Sequence, residues 1–405
     1  MARLRLSAAI AATLLVVACV PPDPQSLAVL LHAAPEVSFA LHGSRQVGPD
    51  ELLVESLVFP VDPVAAEYPR IPLLLGTNDG TLVAIASIRR GSIADSAPSG
   101  LRAAVSHDGG RTWAHHHIAE NTTTADGDAA GVVDPATGRI FVFGHELYTS
   151  DDGGVTWTAR PKTILPNAAG VVGIPNGPGA GLGLQSGPHA GRLVVMCRAF
   201  LGPEPFPWPD PWRDRSGHTN CTLTSDDGGV TWQTSTTVQG WVGEGAVVEL
   251  GDGRLYMSSR TYRFDGRRSE AYSSDGGTTW GDFDRSVLPE PIFGVNGSLV
   301  RVTDPLGGAG TVVYANEPEW GGILGLIPLS RKDLSLYVSE DDTATWRFGK
   351  VLHRGPSAYS SMAALGSDVG ILYEAVVQDV NDRRSASDPP EGIRFARIDV
   401  AALTG

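Results

Sequence analysis

Eight residues with the pattern S-x-D-x-G-x-T-W recur five times along this chain, and that repetition limits its fold more than any other feature. The copies are Ser106–Trp113 (SHDGGRTW), Ser150–Trp157 (SDDGGVTW), Ser225–Trp232 (SDDGGVTW), Ser273–Trp280 (SSDGGTTW) and a decayed Ser339–Trp346 (SEDDTATW), where Thr343 replaces the glycine. Their starts lie 44, 75, 48 and 66 residues apart, a spacing expected of repeated supersecondary units that stack on one another. Within each copy the Asp accepts from nearby backbone N–H groups and the Gly takes positive φ freely, which makes a tight hairpin turn. Flanks such as Leu101–Ser106 and Arg139–Ser150 have strand-like composition and partial alternation. The closing Trp gives each unit a large apolar side chain to wedge against a neighbour. The carboxylates Asp108, Asp152, Asp227, Asp275 and Asp341 are therefore read as structural turn residues.

The pattern predicts an all-β chain: a six-bladed β-propeller of four-stranded antiparallel blades, the last lacking a recognisable turn. Blade boundaries are expected near residues 120, 175, 240, 288 and 350, with the segment 37–60 closing the ring against Ile393–Val400. Gly 49 and Pro 29 suit many short strands joined by tight turns. With 42% hydrophobic and 19% charged residues, a disordered or multi-span membrane chain is excluded. A net charge of −14 argues against a nucleic-acid partner, which needs a basic surface. An anionic small molecule stays open, because distant acids are screened over about 8 Å.

The first residues, MARLRLSAAIAATLLVVA, are two arginines and an apolar run too short to span a membrane comfortably, in the form of a secretory signal. Val16-Val17-Ala18-Cys19 resembles the lipobox of bacterial lipoproteins, in which the cysteine is acylated. The expected organisation is a signal peptide at 1–18, a tether at 19–36 behind lipidated Cys19, and one propeller domain over 37–405. The chain is expected to be exported, anchored to the outer face of the cytoplasmic membrane through its lipid alone, and monomeric. Export leaves Cys197 and Cys221 as an even pair in an oxidising compartment, on two stretches that read as neighbouring strands. A bridge and two buried thiols are both open readings.

A second set of residues carries chemistry. The eight-residue turn is the Asp box, and its repetition resembles that of the bacterial sialidase (exo-α-neuraminidase) family. Tyr68-Pro69-Arg70-Ile71-Pro72 resembles the family's aromatic-Arg-Ile-Pro signature, whose arginine opens a triad. Arg89-Arg90 and Asp95 stand where the family has a further arginine and its acid/base aspartate, and Arg90 suits the spacing better than Arg89. Glu244 in Glu244–Leu250 matches the catalytic glutamate, and Arg260 the second triad arginine. Arg331 in Arg331-Lys332-Asp333-Leu334 matches the third. Tyr359 in Ala358–Ser361 matches the nucleophile, and Glu374 the residue that braces the first arginine. The resemblance runs in order from about residue 60 to the C-terminus. It implies an exo-α-sialidase that hydrolyses terminal sialic acid from glycoconjugates with retention, through a tyrosyl-enzyme intermediate.

These residue types suit that chemistry in their own right. A sialoside carries an ionised carboxylate on its anomeric carbon, and Arg70, Arg260 and Arg331 can give it planar, charge-assisted bonds. That carboxylate repels an anionic nucleophile, so a neutral phenol is preferable. Tyrosine, with a reference pKa of about 10, needs a base, a role that fits Glu244. Asp95 would protonate the leaving oxygen and then activate water. Sialidases are the noted exception to the two-carboxylate glycosidase scheme. No step calls for a metal or an organic cofactor.

Other features read more plainly. His115-His116-His117 alternates faces on a strand and is expected to be a solvated edge, Glu249 a strand residue near the surface, and Pro205–Arg215 a long loop near the site or packed on the rim. The sequons at Asn121 and Asn220 matter only outside bacteria. Three other readings compete: a propeller that captures an acidic sugar without cleaving it, a propeller that serves as a scaffold, and a related enzyme acting on a different nonulosonic acid.

Overall fold

A computed structural model describes residues 46–120, 129–177, 179–202, 217–238, 240–262, 266–291, 294–303, 310–318, 331–375 and 391–404. The expected signal peptide, Cys19, the tether, the loop 205–215 and the sequon at Asn121 lie outside these residues.

Strands account for nearly all the regular structure. After β1 (Leu52–Pro60), the chain forms an antiparallel sheet from β2 (Glu67–Gly76), β3 (Leu82–Arg90), β4 (Ser99–Ser106) and β5 (Ala114–Ala119). The second sheet is built on β6 (Ala130–Val133), β7 (Ile140–Phe143), β8 (Leu147–Ser150) and β9 (Thr158–Arg160). Four short strands follow: β10 (Ile164–Leu165), β11 (Ile174–Pro175), β12 (Gly179–Ala180) and β13 (Leu182–Gly183). Of these, β12 returns to the second sheet. The other three join the third, whose main strands are β14 (Leu193–Phe200), β15 (His218–Ser225) and β16 (Trp232–Thr234). The fourth sheet runs through β17 (Val242–Glu249), β18 (Leu255–Thr261), β19 (Arg267–Ser273) and β20 (Gly281–Pro289).

The remainder is a single sheet: β21 (Ser298–Val302), β22 (Thr311–Asn316), β23 (Lys332–Ser339), β24 (Arg347–Leu365), β25 (Asp368–Ala375), β26 (Gly392–Asp399) and then β1. Its first half pairs β23 with the start of β24, and its second pairs the end of β24 with β25. β1 closes the ring by pairing antiparallel with β26, Phe59 opposite Ile393. The propeller-like arrangement of four-stranded antiparallel blades is present. A count of six does not follow from the sheets themselves, because the last two groups are continuous through the 19-residue β24.

The repeated turns show why the ring holds together. In the first, Asp108 Oδ1 accepts from the backbone N–H of Arg111 and Thr112 at 3.0 and 2.9 Å, and the Thr112 hydroxyl donates to Oδ2 at 2.6 Å. Ser106 Oγ accepts from Gly110 N at 2.9 Å. The same bonds recur around Asp152 and Asp227. Burial is the largest single influence and raises the Asp152 carboxyl, but these bonds together outweigh it and hold it down to about 2. Gly110 has φ 92, and a Cβ there would fall 2.0 Å from Cε1 of Phe395. In the decayed copy Thr343 takes the same left-handed backbone, φ 72, and its N–H still donates to Ser339 Oγ at 2.9 Å.

The closing Trp residues reach across to the neighbouring sheet. Trp113 packs edge-on to Phe395, and fully buried Trp232 packs edge-on to Phe141 and Phe143. Trp280 donates to Thr222 Oγ1 at 2.9 Å. The apolar clusters therefore sit between neighbouring sheets, such as the one joining Phe141, Phe143, Val195, Leu223 and Trp232. Burying such aromatic surface between blades is what makes one blade depend on the next.

Candidate active site

The residues singled out by sequence converge where the ladders of hydrogen bonds break. The β2–β3 register shifts between Arg70 and Leu73, and Ile71 there has φ 59, a strained conformation for a β-branched residue. The β17–β18 register shifts between Val242 and Gly245, which brackets Glu244. The β24–β25 register shifts between Ser357 and Ser360, which brackets Tyr359. Such irregularities re-aim side chains out of the alternating pattern of a strand. Ile71 on β2, Val295 just before β21, and Ala358 and Tyr359 on β24 then pack into one small apolar cluster that holds these segments together.

On that floor stands a polar network. The Tyr359 hydroxyl donates to Glu244 Oε1 at 3.2 Å. Arg260 Nη1 donates to Glu244 Oε2 at 2.7 Å and to the Tyr359 hydroxyl at 3.3 Å. The guanidinium carbons of Arg331 and Arg70 lie 5.4 and 5.9 Å from the centre of the Tyr359 ring. Arg70 Nε donates to Glu374 Oε1 at 2.8 Å, and the same oxygen accepts from Ile71 N at 2.7 Å. Arg331 Nη2 is held by the carbonyl of Gly294 at 3.1 Å.

Burial disfavours the Glu244 carboxylate, but Arg260, a backbone hydrogen bond and Arg331 outweigh it and hold the group down to about 2. Glu244 is thus an anion at neutral pH. Burial likewise disfavours charge on Arg70, yet Glu374, Tyr359 and Asp95 more than compensate and raise it. Asp95 lies between β3 and β4 with its side chain 94% exposed.

One expectation is corrected. Arg89, not Arg90, stands beside Asp95: Arg89 is buried, its Nη1 lies 2.9 Å from Asp95 Oδ1, and it also donates to the carbonyl of Ile93. Arg90 points to the other face of β3, where it pairs with Glu120 and Glu67. Successive strand residues face opposite sides, so a spacing matched only to within one residue picks the wrong face.

Elsewhere, Cys197 and Cys221 are directly opposite on β14 and β15 and are bonded to each other. His115–His117 lie on β5, the outer strand of the first sheet, and His117 pairs with Glu120 at 3.0 Å. Glu249 accepts from the N–H groups of Gln185 and Ser186 at 2.8 and 3.0 Å.

The sequence reading missed three buried groups around the site: Arg268, Glu290 and Glu317, all with negligible exposure. Glu317 sits behind Arg331. Burial pushes its carboxyl up to about 8, with Arg331 pulling down and Glu374 pushing up. No spacing or motif marks these residues, because a buried charge is recognisable only once its surroundings are folded.

The model of the BNR repeat-like domain matches residues 131–371. A sialidase of Micromonospora viridifaciens is 31% identical over 374 residues, covering 83% of this chain and 52% of that protein, so this chain spans about half its relative's length. A sialidase of Clostridium perfringens is 26% identical over 350 residues, covering 76% of this chain and 87% of its own. The crystal structure of an intramolecular trans-sialidase from Ruminococcus gnavus superposes with a TM-score of 0.64 at 17% identity, covering 88% of this chain and all of that one. On these matches the chain belongs to the BNR-repeat family, as a relative of the bacterial sialidases.

Proposed function

We propose that this protein is an exo-α-sialidase that hydrolyses terminal sialic acid from glycoconjugates with retention, through a covalent intermediate on Tyr359. The observation that carries the reading is the Tyr359 hydroxyl bonded to Glu244 and Arg260, with Arg70 and Arg331 beside the same ring. The three guanidiniums offer the substrate carboxylate charge-assisted bonds, each contributing about 1.5–3 kcal/mol. They would also set the anomeric carbon against the phenol.

A carboxylate held near 2 is a weak base. When the substrate carboxylate draws on Arg260, Glu244 loses part of its counter-charge and rises, becoming able to take the phenol proton as the C–O bond forms. Asp95 donates to the departing glycosidic oxygen. In the second step Asp95 takes a proton from water, whose oxygen attacks the anomeric carbon, while Glu244 returns its proton to the departing Tyr359 oxygen. Arg89, paired with Asp95, positions it for both steps.

Turnover of a fluorogenic sialoside tests the reading. Release of the fluorophore, lost in Tyr359→Phe and Asp95→Ala, supports it; binding of sialic acid without turnover by the wild type would make the protein a lectin instead. NMR of the product from differently linked sialosides distinguishes hydrolysis from intramolecular transfer. We further propose export with a lipid on Cys19, a placement supported by the Cys197–Cys221 bridge, since such bonds persist in oxidising compartments. Incorporation of labelled fatty acid, absent in Cys19→Ser, tests it.

A further inference from the structure

Arg268 on β19 and Glu290, just beyond β20, form an ion pair at 3.1 Å with side-chain exposures of 0% and 1%. Both must give up hydration, and replacing such a pair with apolar residues of similar volume is often neutral or stabilising. Stability alone is therefore a poor reason for its presence. Its other bonds supply a better one.

Glu290 Oε1 accepts from the backbone N–H and the hydroxyl of Thr261 at 2.8 and 2.7 Å, directly after Arg260. Arg268 donates through Nε and Nη2 to the hydroxyl and carbonyl of Ser258 at 2.7 and 3.1 Å, two residues before Arg260. Arg268 Nη1 also donates to the carbonyl of Val295 at 2.9 Å. Val295 follows Gly294, whose carbonyl holds Arg331. Gly294 itself has φ 61, and a Cβ there would fall 2.5 Å from Arg260 Cγ and 2.9 Å from Glu290 Oε2. One buried pair thus grips the strand that carries Arg260 on both sides, and the segment that anchors Arg331.

We infer that Arg268 and Glu290 are a positioning pair that sets the spacing between Arg260 and Arg331, and so the width of the seat for a carboxylate ligand. This rests on the carboxylate-binding reading of those arginines. Neither residue touches the substrate; each acts through backbone groups beside the residues that do. An uncharged Gln at 290 keeps the shape and the acceptor for Thr261 but weakens the grip of Arg268, so the seat loosens without collapse.

The test compares wild type with Glu290→Gln, Arg268→Met and Arg268→Lys by kcat and KM on a fluorogenic sialoside, calorimetric affinity for free sialic acid, and melting temperature. The expected result is a KM and a dissociation constant about tenfold higher in Glu290→Gln and Arg268→Met. In these variants kcat should change less than about threefold, and Arg268→Lys should recover part of the loss. Unchanged KM and affinity in the folded Glu290→Gln protein overturn the inference, as does a loss of kcat that only tracks the melting temperature. A wild type that neither cleaves nor binds sialosides removes the proposed function instead. The pair is then judged from crystal structures of wild type and Glu290→Gln, where an unchanged Arg260–Arg331 separation overturns it.

Discussion

The Tyr359 hydroxyl donates to Glu244 Oε1 across 3.2 Å, although the two residues are 115 apart in the chain. Each lies where a β-ladder slips register, and Arg260 touches both. Removing the hydroxyl alone leaves the buried ring and its packing in place. Tyr359→Phe should lower kcat for a sialoside by about 100-fold or more, while stability falls by only about 1 kcal/mol. Steady-state kinetics and thermal denaturation of the same preparation check both numbers.

The two adjacent arginines of β3 make opposite predictions. Arg89→Ala removes the partner of Asp95 and should reduce kcat/KM by roughly 10- to 100-fold, the worth of one charge-assisted bond. Arg90→Ala loses pairs with Glu120 and Glu67 on the other face and should stay within about twofold of wild type. Equal losses in both variants would sink the assignment of Arg89 to the site.

Glu317 predicts a pH dependence of stability. Its carboxyl, ordinarily at 4.5, is raised to about 8 by burial. Below pH 4.5 folded and unfolded chains both hold the proton, so burial is not penalised through ionisation. Between 4.5 and 8 the unfolded chain has released it while the folded chain keeps it, and folding stability declines as pH rises. Glu317→Gln cannot ionise and escapes that decline. Its stability relative to wild type should increase from about pH 5 to about pH 8.5, by as much as roughly 4 kcal/mol, in urea denaturation at the two pH values. A difference independent of pH would contradict a neutral buried Glu317.

Two glycines of the repeated turns separate backbone strain from packing. At Gly153, φ is 71 and a Cβ would meet nothing within 4 Å, so Gly153→Ala should destabilise by about 1 kcal/mol from its left-handed backbone alone. At Gly110 a Cβ would be driven into the ring of Phe395 at the closure of the propeller. Gly110→Ala should therefore cost at least about 2 kcal/mol more, measured by chemical denaturation.

The bond between Cys197 and Cys221 closes a loop across a sequence separation of 24. On the chain-entropy model its loss removes about 3 kcal/mol. The Cys197→Ala, Cys221→Ala double variant should melt lower by several degrees yet keep its kcat, since both sulfurs belong to the apolar cluster of Phe141, Leu223 and Trp232 and not to the one that holds Tyr359. A matching fall in wild-type melting temperature under reductant would confirm the source.

Much of this protein is decided locally and can be read along the chain. The S-x-D-x-G-x-T-W turn needs only contacts up to four residues apart: Asp108 to Thr112, Ser106 to Gly110. Five such turns with strand-like flanks therefore announce the blades, and acidic, aromatic and arginine residues in the right order announce a candidate site. Which of Arg89 and Arg90 faces Asp95 is decided by strand alternation, and which positions break that alternation is decided by ladders that slip at Arg70, Glu244 and Tyr359. Arg70 and Glu374 meet across 304 residues, and Glu290 reaches the backbone after Arg260 only when two strands and a turn have packed. Burial of Glu290 and Glu317, and hence the charge state of each, exists only in the closed ring, because a carboxyl responds to the water and charges around it in space.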